Sequence, residues 1–158
     1  MAGFRRGIFF LLFSSASGIM IEEQKMEEQK MKKSFWQITQ AADAEGRFIQ
    51  QIKGHGAYAV VRLFIDRFPN KKKDYIVFES EVLDDAVPKE FIKAVERGIR
   101  TAAINEVLGN NHPLINIKAT LLAVRHHELD SSEYAFERAG EIAFLNAIRE
   151  AKPVFERS

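Results

Sequence analysis

"HHELDSSEYAFERAGEIAF", His126 to Phe144, changes character halfway along. Two histidines and two acids, Glu128 and Asp130, crowd its first part. After them Phe136, Ala139, Gly140, Ala143, Phe144, Ala147 and Ala151 recur at helical spacing, one apolar stripe on an otherwise polar segment. The pattern predicts a helix from about Ser131 to Lys152, ended by Pro153. Its small residues predict close packing on a sheet or on another helix. Asp130-Ser131-Ser132-Glu133 reads as the helix start: Asp130 accepts from the amide three residues on, Glu133 reaches back, and both acids suit the positive end of the helix dipole. A cap of this kind is worth about 0.5 to 2 kcal/mol.

Upstream of the histidines the period is two. "INIKATLLA", from Ile115 to Ala123, puts Ile115, Ile117, Ala119, Leu121 and Ala123 on one face and Asn116, Lys118 and Thr120 on the other, a strand with one wet side. Before it, "PKEFIKAVERGIRTAAINEVLG" opens on Pro88, repeats apolar residues at Phe91, Val95, Ile99 and Ala102, and stops at Gly109. Gly98 inside that helix costs about 1 kcal/mol against alanine, a cost that predicts close packing of helix on sheet. Earlier still, "DYIVFESEVL" (Asp74 to Leu83) and "AYAVVRLFID" (Ala57 to Asp66) alternate as strands, the second with Ala59, Val61, Leu63 and Ile65 on its buried face. "PNKKK" between them, Pro69 to Lys73, reads as a solvated basic loop, the alternative being a phosphate contact. "FWQIT" and "RFIQQI" read as short strands around a turn at Asp43 to Gly46. Strands followed by helix, strand and helix imply an α+β fold, a mixed sheet with two helices packed on one face.

The chain of 158 residues has room for one ordinary domain, expected over 34–158, after a leader over 1–33. With 46% hydrophobic and 28% charged residues it has the balance of a globular protein. A formal net charge of +1 means that any nucleic-acid contact must rest on a local patch. The absence of cysteine excludes disulfides, thiolate metal sites and a thiol nucleophile. "MAGFRRGIFFLLFSSASG" has the arrangement of a secretory signal and is too short to span a bilayer. It is either such a signal, which would leave export possible, or a start placed upstream of Met20, Met26 or Met31. The E-E-Q-K-M repeat in Ile21 to Lys33 lacks an apolar face and predicts a solvated helix or a floppy leader.

The histidines invite catalytic readings that the spacing does not support. Adjacent residues of an extended segment point to opposite faces, so His126 and His127 are poorly placed to chelate one ion, while His55 and His112 sit in separate turns. Ser131 and Ser132 lack the Gly-x-Ser-x-Gly elbow of a nucleophile. Neither G-x-x-x-x-G-K-[ST] nor G-x-G-x-x-G occurs, so no nucleotide is bound by either familiar route, and no cofactor or metal is implied.

"VPKEFIKAVERGI", "HELDSSEYAFERAGEIAF" and "AKPV", in this order, resemble the fourth domain of translation elongation factor G. "EGRFIQQIKGHGAY", Glu45 to Tyr58, resembles that domain's first tip loop with its flanking strands, and the likeness extends to about Phe155. The resemblance implies a ribosomal protein S5 domain 2-like fold, with a left-handed strand-helix-strand connection where general chirality would predict a right-handed one. It implies a non-catalytic, cytoplasmic mimic of a transfer RNA anticodon arm, whose partners are the small ribosomal subunit, its rRNA, and the tRNA and mRNA at the decoding centre. The contacts would come from a first tip loop, Lys53, Gly54, His55, Gly56 and Tyr58, and a second, His126 and His127, centred on His127. Asp130, Ser131, Ser132 and Glu133 would then be the helix cap that aims His127.

The chain departs from the family in places. The first loop commonly reads Gly-Gly-Arg-Gly-Gln-Tyr, so His55 replaces an arginine and Ala57 a glutamine, which weakens the expected hold on phosphate. Asp85-Ala86 stand where relatives place paired glycines. The GTPase domain is missing from the sequence, so the expectation is a module unable to translocate alone. The alternatives are a diverged fragment or protein-interaction scaffold, and an enzyme with chemistry not visible in any motif.

Overall fold

The computed structural model describes residues 34–69, 76–104 and 114–157, and Phe35–Glu156 makes up one compact unit. The leader, the connection at 70–75, Gly109 and His112 lie outside the described residues. The elements are β1 (Ser34–Gln37), β2 (Ala42–Ile52), β3 (His55–Arg67), β4 (Ile76–Ser80), α1 (Lys89–Ile104), β5 (Ile117–Arg125), α2 (Glu133–Glu150) and β6 (Val154–Arg157). Four strands form one sheet in the order β2-β3-β5-β4, and β1 pairs with β6 in a second sheet of two. β3 runs antiparallel to both of its neighbours, β2 and β5. β4 lies parallel to β5, the pair being joined through α1.

The alternation in β3 is realised as expected: Ala59, Val61, Leu63 and Ile65 are fully buried. Together with Ile117, Ala119 and Leu121 of β5 they form one core with Val95 and Ile99 of α1 and Phe136, Ala143 and Phe144 of α2. Phe91 of α1 stacks on Phe136 of α2 at 4.7 Å between ring centroids. The opposite face of the sheet carries charges. Arg62 grips Asp43 through two hydrogen bonds of 3.0 and 2.7 Å. Glu45 lies between Arg47 at 2.6 Å and Arg125 at 3.3 Å, and the Arg47 hydrogen bond holds its carboxyl below the usual range.

Three local expectations are corrected. Asp43 to Gly46 is no turn: β2 runs straight through it, paired from Ala42↔Ile65 to Ile52↔His55. Gly46 is there because the backbone of α2 lies on it, so an added Cβ would fall on the Ala139 carbonyl oxygen and the Ala143 nitrogen. Gly98 serves helix-on-helix packing and not helix-on-sheet packing, since its missing Cβ leaves space for the Glu137 carbonyl of α2. Finally, β5 begins at Ile117, because Asn116 adopts φ 60°, and it carries a bulge. Arg62 faces Ala123 while Leu63 faces Leu121, so Leu122 is extra and the alternation reverses. Ala123, expected inside, is exposed, and Val124 packs against the core instead.

The C-terminal end of α2 is closed by the segment between β1 and β2. The Thr39 and Gln40 amides donate to the Ala151 carbonyl at 3.0 and 3.3 Å, and Gln40 Nε2 donates to the Glu150 carbonyl at 2.7 Å. Lys152 then turns the chain with φ 51°. Among the described residues no helix is long and apolar enough to cross a membrane.

Candidate nucleic-acid interface

The β2–β3 hairpin closes on Lys53 and Gly54, since Ile52 and His55 are its last paired residues. A two-residue connection of this kind needs a positive φ, which Gly54 supplies at 80°. A side chain there would meet nothing within 4 Å, so the backbone angle alone asks for glycine. Lys53 and His55 are exposed at this end of the sheet. Gly56 follows for a different reason: a Cβ on it would come within 2.7 to 2.9 Å of the Asp130 carboxylate. The first loop has thus been pared down where the second rests on it.

The second loop leaves β5 at Arg125, passes through His126 and His127, and turns over Glu128, Leu129 and Asp130. The Ser131 amide donates back to the His127 carbonyl at 3.1 Å. The His127 amide donates to Ser131 Oγ at 2.7 Å, and the same hydroxyl donates to the Tyr58 carbonyl at 2.7 Å. The Tyr58 amide donates to the Asp130 carbonyl at 2.9 Å. Two hydrogen bonds therefore tie the loops through both polar groups of the Tyr58 backbone, and the Ser131 hydroxyl that makes one of them also holds the His127 amide.

His127 is exposed, with 55% of its side chain accessible. Its Nδ1 accepts from the Leu129 amide at 3.4 Å and lies 3.5 Å from Asp130 Oδ2. The rings of Tyr58 and His127 are 6.3 Å apart and inclined at 58°. His126 is exposed as well, and both histidines border an open groove of about 620 Å³ walled by Val82, Leu83, Leu122 and Val124. Among the described residues no group of three or more His, Asp or Glu is arranged to hold a metal.

The capping expectation is corrected. The N-cap is Ser132, in extended conformation at φ −149°, ψ 164°, with its side chain accepting from the Ala135 amide at 3.1 Å. Asp130 is drawn away over Gly56, and Ser131 is occupied by Tyr58 and His127, so neither closes the helix. Glu133 does not reach back to close a capping box: it pairs with Arg97 of α1 at 3.1 Å, and Glu137 joins the same guanidinium at 3.4 Å. Sequence reading also missed Leu129, whose 87% exposure beside His127 places an apolar side chain at the apex. A leucine lodged between Glu128 and Asp130, outside any periodic stripe, was the available signal.

The structure thus brings Lys53, His55, Tyr58 and the second loop to one end of the sheet. The model of the family described as Elongation factor G, domain IV, matches residues 35–152. The elongation factor G of Thermotoga neapolitana is 38% identical over 117 residues, which are 74% of this chain and 17% of that protein. That of Thermotoga petrophila is 37% identical over the same shares. A crystal structure of a Thermus thermophilus protein matches with a TM-score of 0.68 at 31% identity, over 78% of this chain and 18% of that one. This chain therefore spans about a sixth, 17%, of the length of the curated relatives it matches.

Proposed function

Because the chain belongs to the elongation factor G domain IV family, we propose that it is a ribosome- and RNA-binding module that uses its joined tip loops and makes or breaks no covalent bond. The fold is the ribosomal protein S5 domain 2-like one. The observation that carries the reading is the union of the loops: Lys53, His55 and His127 are exposed on loops tied together through Tyr58, Asp130 and Ser131. Such an apex suits folded RNA, where an imidazole stacks on a base or donates to it and a lysine faces phosphate. Its partners are the small ribosomal subunit with its rRNA, and the tRNA and mRNA held there, and its place is the cytoplasm. GTP hydrolysis and translocation form no part of this activity.

Cosedimentation of the full chain with small ribosomal subunits tests the proposal. Binding is expected at low salt, weakening as salt rises, and His127→Ala and His55→Ala should each reduce it several-fold. The resemblance also supports a second reading, a scaffold that binds protein: His55 and Ala57 stand where the family commonly has an arginine and a glutamine, which would remove charge from the first loop. Absence of binding at low salt would decide for that reading.

A further inference from the structure

We propose that Ser131 is a positioning residue, the pin that fixes the backbone of His127 to the first tip loop and so makes the two loops one recognition unit. This deepens the RNA-binding reading and, for its functional arm, rests on it. A serine hydroxyl has one proton to give, and here that proton goes to the Tyr58 carbonyl at 2.7 Å while the oxygen takes the His127 amide at 2.7 Å. The hydroxyl therefore links two backbones that are 69 positions apart in sequence, as the numbers 58 and 127 show. The neighbouring Asp130 carbonyl holds the Tyr58 amide at 2.9 Å, so Tyr58 is clamped through both its polar backbone groups. Tyr58 is half-buried and the bond from Ser131 to its carbonyl is partly covered, so water competes poorly for that bond, while the bond from the His127 amide is exposed.

The adjacent serine gives a built-in control. Ser132 caps α2 through the Ala135 amide, so removing its hydroxyl lowers stability while leaving the Ser131 bonds to His127 and Tyr58 in place. Ser131 does the opposite work. Its loss should leave the helix cap in place and free the His127 amide, with the loops then joined by the bond between the Tyr58 amide and the Asp130 carbonyl. A role confined to the helix start would make the two serines equivalent; the hydrogen bonds make them different.

Amide hydrogen exchange on the free, full-length chain reads this directly. In the native protein the His127 and Tyr58 amides should be protected and should open together. Ser131→Ala should accelerate exchange at His127 by about tenfold, beyond any change at Leu121 in the sheet core. Ser132→Ala should change His127 no more than Leu121, and Ser131→Thr, which keeps a hydroxyl, should restore protection. In cosedimentation with small ribosomal subunits, the double variant S131A/H127A should bind no more weakly than H127A alone. A native His127 amide that exchanges like that of an unstructured peptide overturns the inference, and this measurement needs no variant to fold. So does an S131A effect on binding that persists at full size without His127. If the native chain binds no subunits at all, the RNA reading fails, while the exchange experiment still decides the role of Ser131.

Discussion

At the scale of single residues, two positions with the same backbone requirement carry opposite side chains. Gly54 adopts φ 80° with free space where a Cβ would stand, and Lys152 adopts φ 51° just past the end of α2. The left-handed region costs an ordinary residue about 1 kcal/mol or more and costs glycine little. Gly54→Ala should therefore destabilise the chain by about 1 kcal/mol, with no contribution from clashes with other residues. Lys152→Gly should stabilise it by about 0.5 to 1 kcal/mol, since glycine is the preferred residue just beyond a helix end. Urea denaturation of the two variants checks both signs; a loss on Lys152→Gly would mean that the lysine side chain contributes more than its backbone angle costs. Gly56 belongs to neither case, because what it leaves room for is the Asp130 carboxylate.

At the scale of elements, the molecule depends on how closely α2 approaches its neighbours. Gly46 of β2, Gly98 of α1 and Gly140 of α2 all stand at contacts with backbone atoms of another element. Backbone yields less readily than the end of a side chain. Gly98→Ala should accordingly lose far more than a change at an exposed helical site, where alanine would gain about 1 kcal/mol. A destabilisation of about 2 kcal/mol or more is expected from overpacking against Glu137, and the Tm of the variant measures it. A stabilised variant would show that the helices separate at little cost. The same closeness sets the ion pairs of Arg97 with Glu133 and Glu137, which join α1 to α2 across their exposed side. The bulge at Leu122 works at this scale too: by reversing the alternation it directs Val124 to the core and leaves Arg125 beside Glu45 on the open face.

Across the whole molecule, the two faces of the sheet respond to different conditions. The covered face is apolar, whereas the open face holds Asp43 and Glu45 among Arg47, Arg62 and Arg125. The hydrogen bond from Arg62 holds the Asp43 carboxyl below its ordinary value, and that from Arg47 does the same for Glu45. A carboxyl depressed in the folded state stabilises it above the ordinary carboxylate range, and the contribution is lost as pH falls through the folded value. Thermal melts should thus show Tm steady near neutrality and falling below about pH 4. The pairs are exposed, so the part due to them should be small and should shrink in high salt. Asp43→Asn should flatten the acid limb; an unchanged limb would assign the acid loss to other carboxylates.

Periodicity alone determined most of the elements, because burial on one face imposes its own repeat on the side chains. The period of two in β3, the stripe of α2, and the stop at Pro153 are read in this way and recur in the structure. The family was legible as well, in linear motifs that need no folding to be recognised. What only the tertiary structure decided depends on partners distant in sequence. A glycine in "DAEG" signals a turn by its local chemistry, yet Gly46 lies in a strand because α2, almost a hundred residues on by the numbering, presses its backbone there. The four residues Asp130 to Glu133 have the local form of a capping box, yet Tyr58, Gly56 and Arg97 take three of them, leaving the cap to Ser132. A polar side chain with several possible partners goes where the assembled chain puts the best one, and that choice is made after the elements have met.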